Sequence, residues 1–341
     1  MRWCSAVVIG LGLLACNDKD SVDPVVETDD SEAVVDSDTD PVSETDPPIV
    51  PDPTGDPETV PLAGPCAQED LYGAFLVEDL FGFAILDGTV SDGVVPITVL
   101  ELMEASGECT LERRNNPFCD PPCGAGMTCT FEGTCIPFPR AQDLGTVTIG
   151  GMVEPVAMEP LVPGYNYSNT TLPYPAYAPG DLIEFRTGAG TYPGVELHGV
   201  GVTPLASSDG EVFVDPDVDL EVLWTAPPEG ARSRVFFQLT IDQHGLTPVK
   251  LRCDFADDGV GVVPSSLVRG LIDFGVTGFP NATLKRQTVD STAVGEGCME
   301  FRVSSPIELS VDVDGFTPCR VEEQCPEGQS CDFVNEICRD D

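Results

Sequence analysis

Arg234-Val235-Phe236-Phe237-Gln238-Leu239-Thr240-Ile241-Asp242 is the stretch that decides the fold class. Val235, Phe237, Leu239 and Ile241 recur at every second position, so an extended chain sets all four on one side of a pleat. A helix would scatter the same residues around its circumference. Similar short apolar runs, bounded by glycine and proline, lie on both sides of this segment. Toward the N-terminus they are 73–78, 83–90, 96–103, 145–149, 181–186, 194–200 and 220–225; toward the C-terminus they are 249–254, 282–287, 298–303 and 308–313. Their spacing fits an all-β sandwich rather than alternating strands and helices. One exception is 264–274, where Leu267, Val268, Leu271 and Ile272 have helical spacing and Gly275 supplies a stop. The dipeptides Asp87-Gly88 and Asp92-Gly93 are expected to form tight turns. Residues 155–180, with Tyr165, Tyr167, Tyr174 and Tyr177, read as a long ordered loop.

The chain carries 14 cysteines. Cys4 and Cys16 lie near the start, and the other twelve are Cys66, Cys109, Cys119, Cys123, Cys129, Cys135, Cys253, Cys298, Cys319, Cys325, Cys331 and Cys338. An even number in an exported chain reads as a disulfide framework. With only His198 and His244 available, a Cys/His zinc site has little to draw on. Two segments repeat one pattern, Cys119-x3-Cys123-x5-Cys129-x5-Cys135 and Cys319-x5-Cys325-x5-Cys331-x6-Cys338, each with a glycine (Gly126, Gly328) in the middle interval. They resemble small EGF-like or Dickkopf-like units. Segments this short cannot bury a core of their own, so disulfides are their source of order; three pairings are open within each. The remaining four divide by sequence neighbourhood into the expected pairs Cys66–Cys109 and Cys253–Cys298.

With 58 acidic and 16 basic residues the net charge is −42. Nucleic acid and anionic membrane surfaces both need clustered Lys and Arg, so neither is an expected partner. The acids concentrate in 17–62, where Lys19 is the only basic residue and aromatics are absent. Such a segment cannot offset its ordering entropy and reads as a disordered tether. Before it, Arg2, an apolar run from Ala6 and the junction Leu13-Leu14-Ala15-Cys16 form a bacterial lipoprotein signal. The run is too short to span a bilayer. Cys16 resembles a lipobox cysteine, which implies acylation there, attachment to the membrane through that lipid, and, with Asn17 next in the chain, an outer-membrane location facing either the periplasm or the exterior.

Two further stretches carry a resemblance. Asn116-Pro117-Phe118-Cys119-Asp120-Pro121-Pro122-Cys123 running to Pro139-Arg140, and Leu251-Arg252-Cys253-Asp254-Phe255-Ala256-Asp257-Asp258-Gly259, are similar to lipoproteins abundant in myxobacteria. The resemblance implies a lipobox, an acidic stalk, β-sandwich domains and cysteine-rich inserts. It brings no catalytic residue with it.

Enzyme signatures are missing: the chain has no G-x-S-x-G elbow, no H-E-x-x-H helix and no phosphate-binding glycine loop. The sharper chemical expectation is calcium. Asp215, Asp217, Asp219 and Glu221 alternate, so an extended backbone would align four hard oxygen ligands on one face. Position six of an EF-hand register would be Leu220 instead of glycine, which argues against that loop. Asp254, Asp257 and Asp258 before Gly259 form a second acidic group, and Asp312 and Asp314 a third.

The expected architecture is therefore mainly β, with two disulfide-braced β-sandwich (Ig-like) domains, small cysteine-rich modules and a long disordered N-terminal tether. Its divisions are a signal peptide at 1–15, a lipidated cysteine and acidic linker at 16–63, and a first sandwich at 64–205 with a cysteine-rich insert at 115–139. A second sandwich follows at 206–318, with a helix near 264–274, and a C-terminal module at 319–341. The expected role is non-enzymatic, a cell-envelope protein that binds a protein or glycan ligand or is structural. The alternatives are a glycan-binding or calcium-dependent adhesion module, and a secreted hydrolase with a scattered acidic site.

Overall fold

The computed structural model describes residues 50–114, 117–207, 210–241, 249–276, 278 and 280–341. The signal peptide, Cys16, most of the acidic linker and His244 lie outside the described residues. In chain order the strands are β1 (Leu71–Leu80), β2 (Phe83–Val90), β3 (Leu100–Ser106), β4 (Cys109–Arg114), β5 (Met127–Cys129), β6 (Cys135–Pro137), β7 (Val147–Gly150), β8 (Val156–Met158), β9 (Tyr167–Leu172) and β10 (Leu182–Thr187). They continue with β11 (Glu196–Val200), β12 (Glu211–Val214), β13 (Leu220–Leu223), β14 (Arg234–Thr240), β15 (Val249–Ala256), β16 (Val260–Val263), β17 (Asn281–Val294), β18 (Gly297–Val313), β19 (Gln329–Asp332) and β20 (Ile337–Asp340). Among the described residues one α-helix occurs, α1 (Ser265–Ile272), and no helix is long and apolar enough to cross a membrane. The chain is mainly β and its sheets are not closed.

The main sheet runs β3-β4-β15-β14-β17-β18-β1-β2-β9, with β12 added to the far part of β18. A second sheet, β11-β10-β7-β8, covers one end of it. Strands from both sides of residue 205 share the main sheet: β1 pairs in parallel with β18, and β4 pairs with β15. This corrects the expected division into separate sandwiches at 205/206. The sequence reading grouped strands by neighbourhood, whereas the long β17–β18 hairpin joins both halves.

That hairpin also merges two expected strands, 298–303 and 308–313, into one. Pro306 lies between them. In the sheet, the N–H of Ser310 points to Gly210 beside β12, so Pro306, four residues earlier, directs its donor-less nitrogen to the same flank. There β1 pairs only as far as Ser304 and β12 begins only at Ser310, so no hydrogen bond is lost. A second correction concerns Asp87-Gly88, which lies inside β2; the β1–β2 turn is Phe81-Gly82. Gly88 pairs with Phe75, and a Cβ there would fall 2.1 Å from the Phe75 ring. This glycine makes room for an aromatic side chain rather than a turn. The 155–180 segment is likewise more regular than expected, since it holds β8 and β9.

Two hydrophobic cores lie on one face of the β17–β18 hairpin. At one end Ala282 and Leu284, opposite Leu309 and Ile307, pack with Phe237, Leu251, Phe255 and the buried side of α1. At the other end Val303 and Phe301 pack with Phe75, Ile149 and Phe185 of the second sheet, and Phe185 stacks on Phe301 at 5.0 Å. Between the cores the same face presents Arg286, Ser305 and Thr288. These polar side chains hold the crossing segment 198–205. His198 N–H donates to Asp290 at 2.9 Å, Val200 N–H to Thr288 Oγ1 at 3.1 Å, and Leu205 N–H to Ser305 Oγ at 3.1 Å, while Arg286 donates to Thr203 O at 3.1 Å.

Arg286 is the centre of this seam. Its side chain and that of Asp257 are 1% and 3% exposed, and they pair through Nε–Oδ2 at 2.6 Å and Nη2–Oδ1 at 2.9 Å. Asp257 also accepts from Trp224 Nε1 at 2.8 Å and Ser233 Oγ at 2.5 Å, and Arg286 donates to Thr225 O at 2.6 Å. Every strong polar atom of the pair is thus used, the condition under which a buried ion pair is tolerated. Arg286→Ala is expected to cost about 3–5 kcal/mol by leaving Asp257 buried and uncompensated. Replacing both partners with apolar residues (Arg286→Met with Asp257→Leu) is expected to cost less than the single change, as read by urea denaturation under oxidising conditions.

Candidate functional site

Residues 50–66 form a strap on the β-sheet body. Pro51, Pro53, Pro57, Pro61 and Pro65 restrict its backbone and remove donors, so it needs no strand partner, and a turn closed by the Thr59 and Val60 N–H groups on Asp56 O interrupts it midway. Three of its remaining N–H groups end on carboxylates buried in the body. Thr54 donates to Glu184 Oε2 at 3.1 Å, Ala63 to Asp290 Oδ1 at 2.8 Å and Cys66 to Glu300 Oε1 at 2.6 Å. Glu184, Asp290 and Glu300 are 2%, 6% and 1% exposed. From the body, Arg232 donates to Pro57 O at 2.9 Å and Val60 O at 2.6 Å. Asp290 and Glu300 belong to opposite faces of the main sheet, so the strap turns around the flank of β17 beyond the end of its pairing with β14. The linker expected at 16–63 is therefore docked from residue 50 onward. Its prolines, which suggested disorder, are what suit it to a path outside the sheets.

The strap roofs a cleft of about 260 Å³ lined by Pro57, Pro179, Val200, Val202, Pro228 and Thr288, with Glu58 and Glu229 also in its wall. This is below the roughly 300–1,000 Å³ of typical small-molecule pockets. It matches a single side chain or a short chain segment.

The described cysteines are all paired. Cys66–Cys298 and Cys109–Cys253 replace the expected Cys66–Cys109 and Cys253–Cys298. The correction follows from the shared sheet: Cys109 and Cys253 are direct partners in the β4–β15 register, and Cys298 stands beside the start of β1, a few residues after Cys66. In the repeated segments the first cysteine pairs with the third and the second with the fourth, giving Cys119–Cys129, Cys123–Cys135, Cys319–Cys331 and Cys325–Cys338. Both contain a hairpin, β5–β6 and β19–β20, in which the third and fourth cysteines face each other. Gly126 and Gly328 occupy positive φ, 75° and 89°, which accounts for the shared glycine.

The four acids read as calcium ligands do not share an extended face, because 215–219 is a turn. Asp215 accepts from the Asp217 N–H at 2.8 Å, Asp217 pairs with Arg269 at 2.9 Å, Asp219 accepts from the Ser265 N–H at the start of α1 at 2.7 Å, and Glu221 points outward from β13. Of the second acidic group, Asp257 is buried on Arg286 and Asp254 pairs with Arg234 at 2.5 Å. Asp312 and Asp314 lie at the end of β18. Tyr167 and Tyr177 are in the core, where Tyr167 O–H donates to Gly145 O at 2.9 Å and Tyr177 O–H to Ser304 O at 2.7 Å; burial pushes both phenols up, Tyr177 well up. Tyr174 is the exposed one of the four, and Tyr165 is half-buried.

Sequence reading missed Glu184, Asp290 and Glu300. The available signal was a lone carboxylate inside an apolar strand, as in Leu182-Ile183-Glu184-Phe185 and Met299-Glu300-Phe301. Compared with protein-family models and with curated proteins, the chain matches none.

The Ser265 N–H bond, reinforced by the Ser265 hydroxyl, lowers the pKa of Asp219. A carboxylate with a lowered folded-state pKa stabilises above its unfolded value and loses that effect as pH falls through the lowered one. Asp219→Ala is thus expected to destabilise at neutral pH, with the gap to wild type closing below the lowered value in melting curves taken as a function of pH. Non-reducing peptide mapping is expected to recover Cys66–Cys298 and Cys109–Cys253 cross-linked peptides; recovery of Cys66–Cys109 would contradict the fold.

Proposed function

We propose that this chain is a non-enzymatic protein of the bacterial cell envelope, tethered to the outer membrane by a lipid on Cys16 and acting by binding or as a structural element. The observation that carries the reading is the pairing of all twelve described cysteines into six disulfides, as expected in an oxidising compartment. With those twelve committed to one another, Cys16 is left for acylation once Cys4 departs with the signal. The similarity to myxobacterial lipoproteins in the 116–140 and 251–259 stretches agrees with this placement.

A binding role draws support from the two cysteine-rich hairpins. Phe118, Phe131 and Phe138 are exposed on the first, and Phe333 and Val334 on the second. Apolar side chains held out on a stapled frame lose little entropy on contact, which suits a protein partner. A sugar platform built on the tyrosine-rich segment is less favoured, because two of its four rings are buried. The non-enzymatic reading rests on the surroundings of His198, which faces the carboxylates of Glu196 and Asp290 rather than a hydroxyl or thiol.

Mass spectrometry of the native protein is expected to find a mature N-terminus at Cys16 carrying diacylglycerol. An unprocessed N-terminus, or free thiols among the twelve cysteines, would overturn the proposal.

A further inference from the structure

We propose that the aromatic tip formed by Phe81, Phe83 and Tyr174 docks the body on a lipid bilayer, with its rings at the level of the headgroups. The proposal rests on the anchorage through Cys16 and adds to it a second point of contact. Phe81 opens the β1–β2 turn and is fully exposed, and Phe83, the first residue of β2, is 54% exposed. β9 pairs with β2 as far as Leu172, opposite Ala84. Tyr174, two residues beyond, therefore stands at the same end of the sheet, 46% exposed. A buried carboxylate fixes this arrangement: Asp79, near the end of β1, accepts the Ala176 N–H at 2.9 Å and draws the chain after Tyr174 against the base of the turn. Next to it lies the exposed Val153, whose N–H donates to Ala176 O at 2.9 Å. Lone apolar residues on a surface are ordinary; two phenylalanines, a tyrosine and a valine gathered at one end mark a contact surface.

Two observations select a bilayer as the occupant. The first is where the strap begins. Pro51 and Pro53 lie against Gly150 and Gly151, where an added Cβ would fall 2.6 Å from Pro51 O and 2.8 Å from the Pro53 ring. Val153 is two residues further on, so the chain that leads back to Cys16 enters the body beside the tip. Residues 17–49 span at most roughly 120 Å when fully extended. A body held within that distance of a membrane meets it at high effective concentration, and a contact too weak to hold a free protein then suffices. The second observation is charge. No Lys or Arg occurs in 71–84, 151–155 or 172–177, so the basic patch that an anionic headgroup layer needs is missing. Asp79 is buried and Glu78 is paired with Lys285, whereas Asp52 and Glu154 are exposed nearby and oppose an anionic surface. A zwitterionic surface meets no such opposition. Aromatic rings suit its boundary, since phenylalanine sinks its ring there and tyrosine keeps its hydroxyl wet.

The test places the full native protein carrying Phe81→Trp in phosphatidylcholine vesicles and reads tryptophan fluorescence, with the mass of the N-terminal peptide measured on the same sample. Trp224 lies in the core and serves as the internal reference. Expected are a blue shift of the new tryptophan's emission on vesicles, its quenching by lipid with brominated acyl chains, and no change in the Trp224 contribution. Phe83→Ser together with Tyr174→Ser, at exposed positions where folding is not at risk, is expected to reverse the shift and the quenching. An acylated N-terminus with emission that stays water-like would overturn the docking and leave the anchorage standing. An unacylated N-terminus on protein that does not float with the vesicles would overturn both. A shift unchanged in the double variant, or one produced by concentrating the protein without vesicles, which assigns the tip to a second copy, would also overturn the docking.

Discussion

A single buried ion pair, Arg286 with Asp257, ties together parts of the chain that otherwise have no common core. Through it and its neighbours Thr288 and Ser305, the middle of the β17–β18 hairpin holds the 198–205 crossing, the Trp224–Thr225 end of β13 and the start of β14. A polar belt between two apolar cores is costly unless each group is paired, since a buried unpaired charge is worth several kcal/mol against folding. Here the backbone carbonyls and amides of an irregular segment supply the partners. The belt thus solves two problems together: it lets one hairpin serve two cores, and it satisfies a connection that has few ladder bonds of its own.

The same device recurs at the strap. Carboxylates set into strands receive backbone N–H groups from a proline-rich segment that cannot join a sheet. The Cys66–Cys298 bridge then closes the chain over a separation of 232 residues, so the strap is fastened to the start of the longest strand. Under the proposed anchorage, tension from the membrane would reach the body along β18, the strand with the most partners. The acids that read as a cation site in sequence serve other ends, starting a helix and pairing with Arg269.

Much of the architecture was legible from alternation alone. Val235, Phe237 and Leu239 face the core as their spacing demands, and Leu267, Val268 and Leu271 bury one side of α1. Pairing was not legible, because register between distant strands leaves no local trace. For that reason Cys109 and Cys253 were assigned to the wrong partners. Gly88 misled for a related reason: a glycine signals a turn only when its neighbours are unknown, and here it faces a phenylalanine ring. At the site, His198 was visible as a residue, but Glu184 and Asp290 gained their meaning only from the strap laid across them. The repeated cysteine segments were the opposite case, since a shared glycine and spacing already marked them as one local structure.

The central claim is that two cores on one hairpin, joined by a polar seam, behave as one cooperative body. Hydrogen exchange measured across a urea series, with disulfides intact, tests it most directly. Peptides from 182–200 in one core and from 234–241 and 249–256 in the other are expected to open with the same free energy and the same urea dependence. If one set loses protection at clearly lower urea while the other stays closed, the halves are independent domains and the seam does not unite them.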